Sequence, residues 1–259
     1  MKEKKALPFA TLALILINIL IFVYLNATGT LASALRQYGL RPAAILQGQG
    51  LHTLLTSMFM HGSWEHLIGN MLFLVVFGII LERRIGTTRF LVIYVLADLA
   101  ASGFDIATRS DPTSLQSWVP AYGASAAIAG IAGACFIGFP SARAPLGLLT
   151  FLVSTGVALV VILAVPMSLS MAYALYLLIG FGLPVFLFLL SPLATAPLWP
   201  FVLLWILLQA GFGILVNTLG VIGVGLWAHI SGFLAGVFFC LLLKPRGDQA
   251  AREEIPAIG

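Results

Sequence analysis

Eight long apolar runs divide this chain, and together they contain only two charged residues, Asp98 and Asp105. The runs cover residues 9–25, 67–81, 90–107, 125–139, 146–165, 171–190, 201–215 and 221–243. A soluble domain carries about 25% charged residues, whereas this chain of 259 residues has 8% and is 61% hydrophobic. It has too little polar surface to cover itself in water, which excludes a soluble enzyme or a cytosolic binding module. The runs are continuous rather than alternating, so they predict helices and not the strands of a barrel. The fold class is an all-α polytopic membrane protein. Several runs fall short of the roughly 20 residues that cross a bilayer unaided. Short helices are tolerable where they pack inside a bundle and border water. Gly86, Pro140, Pro166, Pro192, Pro197, Pro200, Gly220 and Gly223 mark the breaks.

The net charge of +4 is scattered over the ends of these runs, which reads as a topology signal rather than a nucleic-acid surface. With eight spans, both termini lie on one side. Lys2, Lys4, Lys5, Arg83, Arg84, Arg89, Arg143, Lys244, Arg246 and Arg252 fall on that side, and only Arg36, Arg41 and Arg109 fall opposite. The positive-inside rule then makes the N- and C-termini cytoplasmic, with the cell (plasma) membrane as the expected location. Lys2 to Lys5 followed by an apolar run, with Ala32-Ser33-Ala34 beyond it, resembles a signal peptide. The run is longer than the usual core of about 7–15 residues and the small-residue site lies well past it. An uncleaved first transmembrane helix is expected instead. Cys135 and Cys240 both sit inside apolar runs, so no disulfide framework is implied.

Against this background a few polar residues stand out. Ser125 opens one apolar run in Gly123-Ala124-Ser125-Ala126, and His229 sits inside another in Ala228-His229-Ile230-Ser231-Gly232. His66 opens a third, with Asn70 four residues on and therefore on the same helical face. Polar groups are costly in lipid, so those retained tend to face a cavity and serve function. These four make a chemically complete set: a nucleophile, a base, and two donors able to hold an oxyanion. Topology inferred from charge alone brings them to one depth. His66 and Ser125 begin their helices at the outer face, and His229 lies about two turns into a helix entering from that face. Gly232 and Gly236 share the His229 face, and Ala129 and Ala132, flanked by Gly130 and Gly133, accompany Ser125. Two such small-residue faces allow close helix approach and contact between Ser125 and His229. The Ser125 N–H is a third possible oxyanion donor.

Other residues tempt. His61 and His66 suggest zinc, but five residues place them about 140° apart on a helix, off a shared ligand face. No metal and no cofactor is expected, and His61 is expected to brace the outer loop. Asp98, in mid-span, is expected to hydrogen-bond between helices or to border the cavity. Glu82 and Arg84, at a cytoplasmic helix end, are expected to form a structural ion pair.

At these positions the chain resembles the rhomboid intramembrane serine proteases. The resemblance begins at Leu54-Leu55-Thr56-Ser57-Met58-Phe59-Met60-His61-Gly62-Ser63-Trp64-Glu65-His66-Leu67 and runs into Asn70-Met71. It continues through Glu82-Arg83-Arg84-Ile85-Gly86, similar to the family's Glu-x-Arg-x-Gly, and then through the Ser125 and His229 segments. The resemblance implies that Ser125 is the nucleophile and His229 its general base, without the carboxylate of the soluble triads. His66 and Asn70 would line the oxyanion hole. It also implies that the partners are transmembrane protein substrates in the lipid bilayer, cut near the outer boundary.

The chain departs from the family pattern in places. Ala126 stands where the family usually has Gly, which would be strained if that position required positive φ. Ala129 replaces a Tyr or Phe expected to stack on the base histidine, and His52-Thr53 replaces a Trp-Arg pair. The family core has six helices with one span between the serine and histidine helices. Here Phe139-Pro140-Ser141-Ala142-Arg143 resembles the end of the serine helix and Ala196-Pro197-Leu198-Trp199-Pro200 the start of the fifth. An extra two-helix hairpin at 146–190 is therefore expected within a single membrane domain, 1–245, followed by a flexible cytoplasmic tail, 246–259. Two added spans preserve the orientation of His229. The chief alternative function is a catalytically weak or inactive rhomboid-like protein that binds transmembrane segments. A transporter would show repeated halves with matching broken helices, and the sequence has neither.

Overall fold

The computed structural model describes residues 7–145, 195–218 and 225–243, together with the single positions 154, 171, 174, 175 and 178. Helix α1 is Phe9–Ala27, and three short helices follow it: α2 (Leu31–Tyr38), α3 (Pro42–Leu46) and α4 (Thr53–Thr56). Helix α5 (Trp64–Phe73) continues through a π-turn, Leu74–Gly78, into α6 (Ile79–Ile85). Helices α7 (Thr87–Thr108) and α8 (Ser125–Gly138) come next, then a ribbon of β1 (Arg143–Pro145) and β2 (Thr195–Pro197). Helices α9 (Leu198–Thr218) and α10 (Leu226–Leu243) complete the described chain.

Among the described residues, Phe9–Ala27, Trp64–Ile85 and Thr87–Thr108 are long and apolar enough to cross a membrane, at 19, 22 and 22 residues. A rise of 1.5 Å per residue makes them about 28 to 33 Å long, close to the hydrocarbon thickness of about 30 Å. Ser125–Gly138 is apolar but shorter, at 14 residues. The runs expected at 9–25, 67–81, 90–107, 125–139 and 201–215 are thus helical. The last run is helical from Leu226 onward. The expected hairpin at 146–190 lies outside the described residues apart from the single positions, and the tail at 246–259 lies outside them entirely.

Chain packing separates two compact units. One contains Met1–Phe139 and Gln209–Lys244, and the other Pro140–Leu208 and Pro245–Gly259. In the first unit, α1 turns Ala10, Leu14, Asn18, Phe22 and Leu25 inward, a spacing of three to four residues that keeps them on one face. Leu12, Leu16, Leu20 and Val23 point outward and are exposed, as are Leu234, Phe238 and Leu241 of α10. Such faces suit lipid.

The first turn of α1 leaves backbone N–H groups without helical acceptors, and the Glu82 carboxylate supplies them from α6. Its Oε1 accepts from Ala10 N–H at 2.9 Å and from the Thr87 hydroxyl at 2.8 Å. Its Oε2 accepts from Thr11 N–H at 2.8 Å and the Thr11 hydroxyl at 2.7 Å. A carboxylate is favoured there by the positive end of the helix. The expected Glu82–Arg84 ion pair is therefore corrected. Residues two apart on a helix point to different sides, and the Arg84 guanidinium lies 4.9 Å from the centre of the Phe139 ring. Gly86, with φ +82°, makes the sharp passage from α6 into α7.

The connection between α1 and α5 folds onto itself through a small apolar cluster. Leu25, Ala34 and Met60 form its buried centre, with Leu35, Phe59 and Tyr122 packed around them. Helices α7, α8 and α10 pack through small residues. A methyl at Gly130 would collide with Ala97 of α7, one at Gly133 with the Phe233 carbonyl of α10, and one at Gly236 with the Gly130 backbone. Only Gly lets the helix backbones touch at these points.

In the second unit β1 and β2 pair antiparallel, with Arg143 opposite Pro197 and Pro145 opposite Thr195. Arg143 fastens the ribbon by donating to the Thr195 hydroxyl at 2.9 Å and its carbonyl at 2.7 Å. The ends of the segment between them are consequently held side by side.

Candidate active site

Ser125 is the first residue of α8, and the chain ahead of it is tied at several points. Leu40 and Ala121 exchange two backbone hydrogen bonds of 2.8 Å, and Gly123 N–H donates to the Ser57 carbonyl at 2.9 Å. Gly123 has φ +119°, which suits Gly alone, and turns the chain into the helix. Ser125 N–H belongs to the first helical turn, where no intrahelical acceptor exists. Ala126 lies within α8, and among the described residues no residue other than Gly has positive φ. Its methyl carries none of the backbone strain considered from the sequence.

His229 lies in the first turn of α10, and its Nε2 is 2.8 Å from Ser125 Oγ. What brings the two together is the small-residue crossing. Gly232, three residues after His229, packs so closely on the Ala126 carbonyl that a methyl would overlap it. The other ring nitrogen, Nδ1, is 2.8 Å from Gln209 Nε2 on α9. The ring is thus held at both nitrogens. The looseness that Ala129 would allow by withdrawing a stacking ring is countered by a hydrogen bond instead. Gln209 was not singled out from the sequence, because nothing in an apolar run distinguishes a Gln that packs from one that meets a histidine.

His66 and Asn70 reach the same place from α5. A Cβ on Gly123 would lie 2.7 Å from His66 Nε2 and 3.6 Å from Asn70 Nδ2, so both side chains stand against the turn two residues before Ser125. Asn70 Nδ2 is 2.9 Å from His61 Nε2. Burial, reinforced by the nearby His66 ring, pulls the His61 imidazole down to about 3, so it is neutral at ordinary pH. A neutral His61 accepting at Nε2 takes one Asn70 N–H and leaves the second to point elsewhere. His61 does more than brace the loop: it orients Asn70. The His61 and His66 rings meet edge to face with centroids 5.1 Å apart. Among the described residues no group of three His, Cys, Asp or Glu side chains is placed to hold a metal ion. Asp98 is buried in α7, and its Oδ2 has no hydrogen-bond partner among the described residues; the same is true of the Tyr94 hydroxyl one turn earlier.

The structure therefore assembles all four residues singled out from the sequence around the N-terminus of α8. Residues 48–176 match the family model of the Rhomboid domain. The chain belongs to the rhomboid family. No curated protein matches it. With its apolar helices, this rhomboid is an integral membrane protein. The matched segment contains His61, His66, Asn70 and Ser125 and ends before Gln209 and His229.

Proposed function

We propose that this rhomboid is an intramembrane serine endopeptidase that cleaves transmembrane proteins near the outer boundary of the membrane, using Ser125 and His229. The observation that carries the proposal is the 2.8 Å contact between Ser125 Oγ and His229 Nε2, a base within reach of the proton it must remove. As Oγ attacks the scissile carbonyl, its proton passes to Nε2 and the carbonyl oxygen becomes an oxyanion. The second N–H of Asn70, a ring N–H of His66 and the backbone N–H of Ser125 are the donors available to hold that charge. Imidazolium at His229 then protonates the departing amine, leaving an acyl ester on Ser125. Water, deprotonated by the same nitrogen, hydrolyses the ester and restores the serine. No metal or cofactor enters these steps.

We take residues 1–245 as one membrane domain with a hairpin inserted at 146–190. The paired strands that hold the ends of that segment together support an insertion that leaves and returns at one point. The charge distribution favours a plasma-membrane protein with cytoplasmic termini, which sets the site toward the outer leaflet. The experiment is cleavage of a model transmembrane substrate by purified, detergent-solubilised protein and its Ser125→Ala variant. Cleavage by the wild type alone is expected. No cleavage by a folded wild type across several substrates would overturn the proposal in favour of a membrane-embedded binder of transmembrane segments.

A further inference from the structure

Gln209 is the feature that the proposed chemistry does not use. It lies in α9, in a helix without any ionisable side chain, and its amide nitrogen is 2.8 Å from His229 Nδ1. A carboxamide presents a donor and an acceptor at nearly the same position, exchanged by a half-turn about its last bond. The two settings have opposite consequences for His229. With Nε2 facing the ring, Nδ1 must accept; the ring proton is then on Nε2, which donates to Ser125 Oγ and has no lone pair to take a proton. With Oε1 facing the ring, Nδ1–H donates to Gln209 and the Nε2 lone pair faces Ser125. Only the second setting is a base.

We propose that Gln209 is the positioning residue of this active site: its carboxamide, by turning between these settings, selects the tautomer of His229 and so switches the dyad between a resting and a reactive form. The inference rests on the Ser125–His229 protease reading. In the reactive setting, the serine proton arrives at Nε2 while Nδ1 keeps its own, and the imidazolium donates from Nδ1 to Gln209 Oε1. The amide thus does the orienting work of a buried carboxylate without bringing a second charge into the membrane, where an unpaired carboxylate is costly. The Nδ1 partner is one that the Ala129 methyl has no means of providing.

The titratable side chains on α10 and the elements around His229 are Glu65 and His66 on α5, Arg89, Tyr94, Asp98 and Asp105 on α7, Cys135 on α8 and Cys240 on α10 itself. These are unchanged in variants at position 209, so a shift of the acid limb of kcat in such variants reports on the Nδ1 contact. The experiment compares wild type, Gln209→Leu and Gln209→Glu in detergent, measuring thermal unfolding, kcat and KM for a transmembrane substrate, and kcat from acid to alkaline pH. Leucine withdraws the acceptor. Its kcat is expected to fall about tenfold, the worth of one hydrogen bond, with KM little changed and the acid limb displaced to lower pH because imidazolium loses its partner. Glutamate strengthens that partner and should displace the limb to higher pH. A purely structural role for Gln209 would lower activity in both variants and move neither limb. Limbs that stay in place, or that move together in one direction, would overturn the tautomer switch. If the leucine variant fails to fold, Gln209→Asn, one methylene too short to reach Nδ1, takes its place with the same expectation. A wild type that does not cleave at all would instead overturn the protease reading itself, and the switch with it.

Discussion

A single methyl at Gly232 tests how the fold holds the dyad. In Gly232→Ala the new carbon would lie 3.2 Å from the Ala126 carbonyl carbon, 3.4 Å from its Cα, and closer still to the carbonyl oxygen. Comfortable contacts between carbons sit at about 3.5–4.0 Å, so α8 and α10 must part by about 1 Å at this crossing. Ser125 adjoins Ala126, and His229 lies one turn before Gly232, so the movement falls on the 2.8 Å Ser125–His229 contact. Lengthened by about 1 Å, it leaves hydrogen-bond range. A displacement of that size costs on the order of 10²-fold in rate, while overpacking a crossing costs about 1–3 kcal/mol in stability. The assay is kcat for a transmembrane substrate beside thermal unfolding in the same detergent. Gly103→Ala is the control, because a Cβ there meets nothing within 4 Å and the backbone is helical. A Gly232→Ala enzyme cleaving within about threefold of wild type, less than 1 kcal/mol of barrier, would refute the claim that this crossing sets the dyad. So would an equal loss in Gly103→Ala.

Two further outcomes concern stability. Glu82→Gln replaces a carboxylate that accepts four hydrogen bonds from Ala10, Thr11 and Thr87. It should lose about 1.5–3 kcal/mol, the worth of a hydrogen bond to a charged group, and an unchanged unfolding temperature would show that the cap contributes nothing. His61, pulled from 6.5 down to about 3, binds a proton in the unfolded chain before it does so in the folded one. Stability should therefore be full above about pH 6.5 and decline as pH falls toward 3, by at most about 1.4 kcal/mol per pH unit. Thermal unfolding between pH 7 and pH 4 measures the slope. A His61→Phe variant with the same slope as wild type would assign the decline to other groups.

Much of this protein was legible from single residues. Among the described residues, hydrophobic runs located the long helices, because in lipid a backbone has to satisfy its own hydrogen bonds and a run of apolar residues has little choice but to coil. His229, expected about two turns into its helix, instead lies in the first turn of α10, which begins at Leu226. The four candidate residues could be nominated because polar groups are rare against an apolar background. What stayed hidden were contacts between segments with no periodic signature. Glu82 and Arg84 are close in sequence and opposite in sign, yet the carboxylate found the N-terminus of α1, more than seventy residues away, where several N–H groups lacked acceptors. The pairing of His61 with Asn70 escaped for a similar reason. Helical spacing describes neighbours on one cylinder, and His61 lies ahead of α5.

The short helices of the first connection also left little trace in the sequence, since four to eight residues carry too few turns for a period to register. Their consequence is nonetheless direct: they hold the Leu40–Ala121 and Ser57–Gly123 backbone pairs that set the turn into Ser125.

By itself, then, the sequence determined that the chain lives in a bilayer, which of the described segments form its long helices, and which four polar side chains stand out against the apolar background. These follow from properties each residue keeps wherever it sits: hydrophobicity, charge, and the absence of a side chain at Gly. Only the tertiary structure decided that Gly232 presses on Ala126, bringing His229 to Ser125, and that Gln209 meets the far nitrogen of the imidazole. A hydrogen bond of 2.8 Å depends on how three helices cross, and a shift of a fraction of an ångström in that crossing, invisible to any pattern along the chain, makes or breaks it.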